Sequence, residues 1–251
     1  MGTRDQEHIG PLPPPVPPPP QEGPRPLICL DPNEFQGDET WHLDEILREF
    51  VEGFRFLLPL KREVTFFGSA RIPAGDPWYH EAEKLGRLLT ERGYTVITGG
   101  GPGIMEAANK GALEGCQGTV EECSVGIDIN LPEGERRNPY VRKRMAFDYF
   151  FTRKVMLSAS AQAYVFFPGG FGTLDEMTEI ATLVQTKKME KISIICIGKT
   201  FWEPFREWMR TFMIEHDPPL IDAFDLEVFT IVDSAEEALP IIEQSKERKF
   251  F

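Results

Sequence analysis

The run Phe166-Phe167-Pro168-Gly169-Gly170-Phe171-Gly172-Thr173-Leu174-Asp175-Glu176 joins an apolar strand to a glycine turn and then to a helix start that carries acids. Glycine at 169, 170 and 172 lets the backbone turn sharply and bring N–H groups close to a ligand, while the following helix points its positive end at the same spot. Such a turn is suited to an anion. Phosphate is the expected guest, held by the amides of Gly169, Gly170, Gly172 and Thr173, with the Thr173 hydroxyl as a further donor. Glu176 falls one turn into the helix, so its carboxylate stands near a phosphate it has no reason to touch. It must serve another part of the same ligand.

Two more glycine turns follow predicted strands: Phe66-Phe67-Gly68-Ser69-Ala70-Arg71 and Thr98-Gly99-Gly100-Gly101-Pro102-Gly103-Ile104-Met105-Glu106. Singly, each carries little, because a glycine after a strand commonly does no more than permit a tight turn. Three at strand ends point to one ligand site, to which Gly68, Ser69, Gly100 and Gly101 contribute. The G-x-G-x-x-G spacing is absent from the first turn, no acid ends the second strand, and no Gly-Lys-Ser/Thr follows either glycine run. These absences exclude a dinucleotide fingerprint and a Walker loop, leaving a mononucleotide as the predicted ligand. Glu106 either points into the cleft from the second turn or, the favoured reading, reflects the preference for acids in a first helical turn.

Positioning these turns requires strands and helices in alternation. Short β-branched or aromatic runs predict strands over 64–67, 94–98, 124–130, 163–167, 192–197 and 228–232. Helical patterns run over 77–92, 102–113, 152–160 and 174–187, and an earlier helix begins near Trp41 and ends near Pro59. This alternation predicts an α/β fold, a Rossmann-like doubly wound parallel sheet flanked by helices, with ligands bound beyond the carboxyl ends of the strands. One domain is expected over 41–251. Residues 1–40 are expected to be a disordered tail, since the stretch PLPPPVPPPP favours extended polyproline II and cannot enter a core.

A formal charge of −13 over 251 residues argues against a nucleic-acid surface, and nothing approaches the roughly 18 consecutive apolar residues of a membrane span. Cys29, Cys116, Cys123 and Cys196 form no CxxC pair and no secretory leader precedes them, so free thiols in a reducing cytoplasm are the expected default, with Cys116 and Cys123, seven apart in an inserted loop, able to pair under oxidation. His8, His42, His80 and His216 are scattered, and no metal is predicted. No lysine among Lys154, Lys187 and Lys188 sits in a setting fit for a pyridoxal Schiff base, so no cofactor is expected.

The runs GGGPGIMEAANKGA from Gly99, FFTRKVM from Phe150 and PGGFGTLDE from Pro168 resemble the LOG (Lonely Guy) family, in its longer, largely bacterial branch. These are cytokinin riboside 5′-monophosphate phosphoribohydrolases, formerly labelled lysine decarboxylases. The resemblance runs from about Val64 to the C-terminus. It implies a Rossmann-like homodimer, or a higher oligomer, that splits a nucleoside 5′-monophosphate into free base and ribose 5-phosphate. It also implies that Arg153 and Glu176 are the residues needed for catalysis. Relatives place a substrate-contacting Glu in the segment 131–140, where this chain has Glu133 and Glu135; Glu135 is preferred.

The chemistry of the residues agrees with that transfer. Breaking an N-glycosidic bond puts positive charge on the sugar ring, and a carboxylate facing the anomeric carbon stabilises it and orients or deprotonates the attacking water. Arg153 can grip phosphate oxygens bidentately, or bond the leaving base and the catalytic carboxylate. Lys154 either adds charge to the site or is a solvated helix residue. Asp175 and Thr182, seven apart, share a helix face and can touch sugar or base if that face lines the cleft. Phe147, Tyr149 and Phe150 line a pocket for the base or pack the core. The basic residues Arg136, Arg137, Arg142, Lys143 and Arg144 attract phosphate or form a solvated or dimer-facing surface. A second reading is a carrier that holds a nucleotide-like cofactor in the same cradle without turnover. Glu176 separates the two, because hydrolysis needs its carboxylate and carriage does not.

Overall fold

Seven strands make one parallel sheet in the computed structural model, which describes residues 43–130 and 137–246. The proline-rich segment and Glu133, Glu135 and Arg136 lie outside the described residues. The strands are β1 (Glu63–Phe67), β2 (Thr95–Thr98), β3 (Ser124–Ile129), β4 (Lys143–Phe147), β5 (Ala163–Phe166), β6 (Ser193–Ile197) and β7 (Phe229–Val232), in the order β4-β3-β2-β1-β5-β6-β7. The helices are α1 (Leu43–Leu57), α2 (Pro77–Thr90), α3 (Ile104–Glu114), α4 (Val120–Cys123), α5 (Phe150–Ala159), α6 (Phe171–Gln185), α7 (Lys199–Met209) and α8 (Ala235–Gln244).

The order runs outward one way from β1 through β4 and the other way from β5 through β7. β1 and β5 are therefore neighbours across a topological switch point, with Phe67 opposite Phe166 at their carboxyl ends. A crevice opens at such a point, because the chains leaving the two strands turn to opposite faces.

Alternation along the central strands feeds two cores. Val64, Phe66, Val96 and Val165 pack with residues of α2, α3 and α8, while Phe67, Ile97, Tyr164 and Phe166 pack with residues of α5, α6 and α7. Burial on both faces is why these strands read as continuous apolar runs. The sequence of α2 specifies its own start: the Asp76 side chain accepts from Trp78 N at 2.8 Å, and Pro77 occupies the first turn, where no N–H is needed.

The structure departs from expectation in several places. β4 was not anticipated, because Arg142, Lys143 and Arg144 read as a solvated surface. Arg142 is exposed, while Lys143 Nζ donates to Phe56 O near the end of α1 at 3.0 Å and Arg144 pairs with Asp128. An edge strand tolerates such side chains. α5 and α6 start two and three residues earlier than their patterns suggested, and α7 and α8 are additional. The expectation of free thiols at Cys116 and Cys123 is corrected, since the two form a disulfide across the turn that contains α4. Cys196 is a buried free thiol. Among the described residues no helix is long and apolar enough to cross a membrane.

Candidate active site

The three glycine turns meet at the switch point, and Ser69 is the residue that joins them. Its N–H donates to Pro168 O and its carbonyl accepts from Ile104 N, both at 3.1 Å, while its hydroxyl accepts from Arg71 N at 3.1 Å. Gly103 makes this approach feasible: its φ is +68°, and a Cβ there would lie 2.3 Å from Ser69 O. The turns enclose a cleft of about 680 Å³ lined by Gly68, Ser69, Arg71, Gly99, Arg153, Gly170, Gly172, Thr173 and Glu176, among others.

A buried polar network holds the second turn. Gly100 N donates to Thr98 Oγ1 at 3.0 Å, and that hydroxyl donates to Asn109 Oδ1 at 2.6 Å. Asn109 Oδ1 also accepts from Asn138 Nδ2 at 2.9 Å, and its own amide donates to Ser124 Oγ at 2.8 Å. The Asn138 N–H closes the ring on Gly100 O at 3.3 Å. Asn109, Ser124 and Asn138 are all buried. Full satisfaction matters here, since each buried polar group left unpaired costs about 1–3 kcal/mol.

Because α6 begins at Phe171, the phosphate turn is shorter than the sequence suggested. Thr173 N–H already donates to Gly170 O at 3.1 Å, so that amide is committed to the turn. The first amides of α6, on Phe171 and Gly172, are the ones left without intrahelical acceptors, as at any helix start. No side-chain cap covers the helix at Gly170. The Thr173 side chain folds back over Gly169, where a Cβ would meet Thr173 Oγ1 at 2.1 Å.

Glu176 is buried on the next turn of α6, and its Oε2 has no hydrogen-bond partner among the described residues. Burial pushes its pKa from 4.5 up to about 7; Lys154 pulls it down, Glu179 pushes it up again, and Arg153 and Asp175 make smaller opposing contributions. Lys154 Nζ lies 3.5 Å from Glu176 Oε1, but 2.5 Å from Asp175 Oδ2 and 2.7 Å from Glu179 Oε2. Arg153 crosses from α5 to the ends of the central strands, donating from Nε to Ile127 O at 3.0 Å and from Nη2 to Gly99 O at 3.4 Å. Asp128 pairs with Arg144, leaves Oδ1 buried and unpartnered among the described residues, and is pushed up by burial against the pull of Arg144.

The structure thus brings Gly68, Ser69, Arg153, Gly170, Gly172, Thr173, Asp175 and Glu176 to one cleft. Gly100 and Gly101 are buried behind its wall, and Gly99 lines it in their place. Gly169 turns the chain, and Lys154 is held by three carboxylates. Thr182 is not brought there: it is exposed two turns farther along α6, bonded to Thr178 O, because a seven-residue spacing shares a face but moves about 10 Å along the axis. Phe147 and Met156 belong to the core, whereas Phe150 lines the cleft. Glu106 faces a neighbouring hollow with Tyr79, whose hydroxyl burial and nearby Glu106 push up to about 12.

Sequence reasoning missed Arg71, Met105, Ile129, Leu157 and Phe171, all of which line the cleft. One signal was available. Phe150, Arg153 and Leu157 stand at i, i+3 and i+7, a single face of α5. Phe171, 93% exposed at the tip of the turn, had no such signal.

A family model described as "Possible lysine decarboxylase" matches residues 105–242, more than half of the chain. The relatives that match include the rice (Oryza sativa subsp. japonica) cytokinin riboside 5′-monophosphate phosphoribohydrolase LOG, 29% identical over 146 residues, covering 58% of this chain and 58% of that protein. The chain belongs to the LOG family. The first curated LOG-family and related proteins are spanned over only 50–61% of their own length. Among solved structures, the structural genomics target TM1055 is 26% identical with a TM-score of 0.53, covering 73% of this chain and 99% of that one. The molybdenum cofactor carrier protein of Chlamydomonas reinhardtii is 18% identical with a TM-score of 0.52, covering 74% and 98%. That last likeness speaks to the LOG-type fold alone. Among the described residues no cluster of His, Cys, Asp and Glu side chains is placed to hold a metal ion.

Proposed function

We propose that the chain hydrolyses the N-glycosidic bond of nucleoside 5′-monophosphates, AMP or an N6-substituted AMP, releasing free base and ribose 5-phosphate. The observation that carries this reading is the buried Glu176 carboxylate, unpartnered at Oε2 among the described residues and pushed by burial up to about 7, one turn beyond a helix start suited to phosphate.

With the 5′-phosphate on the amides at 170–172, the pentose falls beside the first turn of α6, where C1′ meets the carboxylate. As the bond from C1′ to the base nitrogen breaks, its electron pair leaves with the base and the ring gains positive charge. Ionised Glu176 stabilises that charge and takes a proton from the water whose oxygen bonds to C1′; the base nitrogen receives a proton in turn. A pKa near neutrality suits a group that accepts a proton and returns it. Arg153, anchored by the carbonyls of Ile127 in β3 and Gly99 just after β2, supplies positive charge at the cleft wall for the phosphate or for the leaving base. Phe150 and Phe171 offer apolar surface to the base. In this reading the enzyme works in the cytoplasm as a homodimer and requires no cofactor.

The test is incubation with AMP, GMP, CMP and isopentenyl-AMP, followed by chromatography of the released bases. Adenine or isopentenyladenine should appear with wild type and not with Glu176→Ala. If no monophosphate yields base while both proteins bind AMP equally, the carrier reading replaces this one.

A further inference from the structure

Arg153 sits in the first turn of a helix that its own sequence does not cap. Tyr149 precedes α5 with no side-chain cap, and Arg153 N–H makes one of the first helical bonds, to Tyr149 O at 3.2 Å. A helix start leaves several N–H groups without intrahelical partners, and when uncapped it frays. Here a side chain of another helix braces the approach to that start. Glu49 of α1 accepts the Asp148 N–H on Oε1 at 2.6 Å, and its Oε2 lies 2.5 Å from the Thr152 hydroxyl, which also reaches Tyr149 O at 2.8 Å. Glu49 is only 7% exposed.

This contact is the middle one of three, spaced a turn apart on both helices. One turn earlier on α1, Glu45 Oε2 accepts from the Tyr149 hydroxyl at 3.3 Å. One turn later, Gly53 faces Met156, and a Cβ there would lie 2.5 Å from its Sδ, so glycine is what lets the helices approach. The sites 45, 49 and 53 on one helix therefore meet 149, 152 and 156 on the other, which fixes both the distance and the register of α5 against α1. A buried carboxylate is costly unless it is hydrogen-bonded, and an apolar residue packs such a seam at less cost. What an apolar side chain cannot do is hold the Asp148 N–H just before α5 and the Thr152 hydroxyl in its first turn. The negative charge also faces the positive end of that helix.

We infer that Glu49 is a positioning residue for Arg153: it ties Asp148 just before α5 and the Thr152 hydroxyl of its first turn to α1, and so sets where the guanidinium enters the cleft. α1 lies wholly outside the segment that the family model matches, residues 105–242. The inference rests on the hydrolase reading for its kinetic consequence, but not for its structural one.

The experiment compares wild type with Glu49→Gln, Thr152→Val and Thr152→Ser in the full chain, by steady-state kinetics on the best monophosphate and by amide hydrogen exchange. Glu49→Gln and Thr152→Val should each lower kcat by on the order of 10–100-fold with KM changed by less than about threefold, since small misplacement of a positioned group costs this much. Exchange should quicken at Asp148 and through the first turn of α5, and not in α3 or α6. Thr152→Ser keeps the hydroxyl and should keep both the rate and the protection. If Glu49→Gln and Thr152→Val retain wild-type kcat and α5 protection, the inference is overturned. It is equally overturned if protection falls uniformly across the protein, because the effect is then general stability. Should wild type release no base from any monophosphate, the hydrolase reading fails by itself, and the exchange data alone decide whether Glu49 orders the start of α5.

Discussion

Lys154 stands 3.5 Å from Glu176 Oε1 yet is held more closely by Asp175 and Glu179, at 2.5 and 2.7 Å. Burial works against its ammonium, but the hydrogen bonds it donates to Asp175 and Glu179 outweigh burial and keep it charged well beyond the ordinary lysine range. The cation nearest Glu176 is therefore shared among three acids. It moderates the rise in the Glu176 pKa without cancelling it. Lys154→Met should raise that pKa further, moving the acidic limb of the pH profile of kcat/KM upward by on the order of 1 unit. A limb that stays in place or moves down would show that Lys154 does not act on Glu176.

The raised pKa of Glu176 also makes a prediction about stability. Below about 4.5 the carboxyl is protonated in both the folded and unfolded chain; between there and about 7 only the folded chain keeps the proton; above about 7 both are ionised, and the folded state carries the cost of burying the charge. Wild type should therefore lose stability as pH rises through this window, by about 3 kcal/mol in all at roughly 1.4 kcal/mol per unit. Glu176→Gln escapes the loss. Its denaturation midpoint should exceed that of wild type at pH 8 and converge with it near pH 4, while base release falls by on the order of 10²–10⁴-fold. An advantage equal at both pH values would refute the assignment.

Gly103 has φ +68° and no room for a Cβ, which would meet Ser69 O at 2.3 Å. Gly103→Ala should destabilise the protein by on the order of 2 kcal/mol or more, from the left-handed backbone and the displaced Ser69 together. Chemical denaturation measures the loss, and KM for the monophosphate should rise with it because Ser69 ties all three turns. The matched change Gly170→Ala, where a Cβ meets nothing within 4 Å and φ is −91°, should cost far less.

Asn109 accepts from Thr98 and Asn138 and donates to Ser124. Asn109→Ala leaves several buried groups short of a partner and should destabilise the protein by about 2–4 kcal/mol in urea denaturation. Asn138→Ala should add little further loss in the double variant, since both belong to one network. Strict additivity of the two would contradict a shared network.

Much of this was legible in the residues. Six of the seven strands and the principal helices could be read because buried parallel strands are unbroken β-branched or aromatic runs ending in glycine turns. β4 was not, because an edge strand need not be apolar, and Arg142, Lys143 and Arg144 carry no strand signature. Gly68, Ser69, Gly170, Gly172 and Thr173 could be placed from the turn spacing, whereas Gly100 and Gly101 lie behind the cleft wall and Arg71, Met105 and Phe171 carried no such signal. Thr182 could not be placed, since a shared helix face says nothing about how far the cleft extends along it. Glu49 and Asn109 were invisible for a different reason: a buried polar residue looks like an exposed one until its distant partners are known. The disulfide between Cys116 and Cys123 depends likewise on a turn whose path the sequence does not announce.

The central claim is spatial, and a crystal structure of Glu176→Gln bound to AMP measures it directly. The account predicts phosphate oxygens on the amides of residues 170–172 and C1′ within about 3.5 Å of the position 176 side chain, the distance at which reacting groups are poised. A phosphate bound elsewhere, or a pentose turned with C1′ away from that side chain, would contradict it.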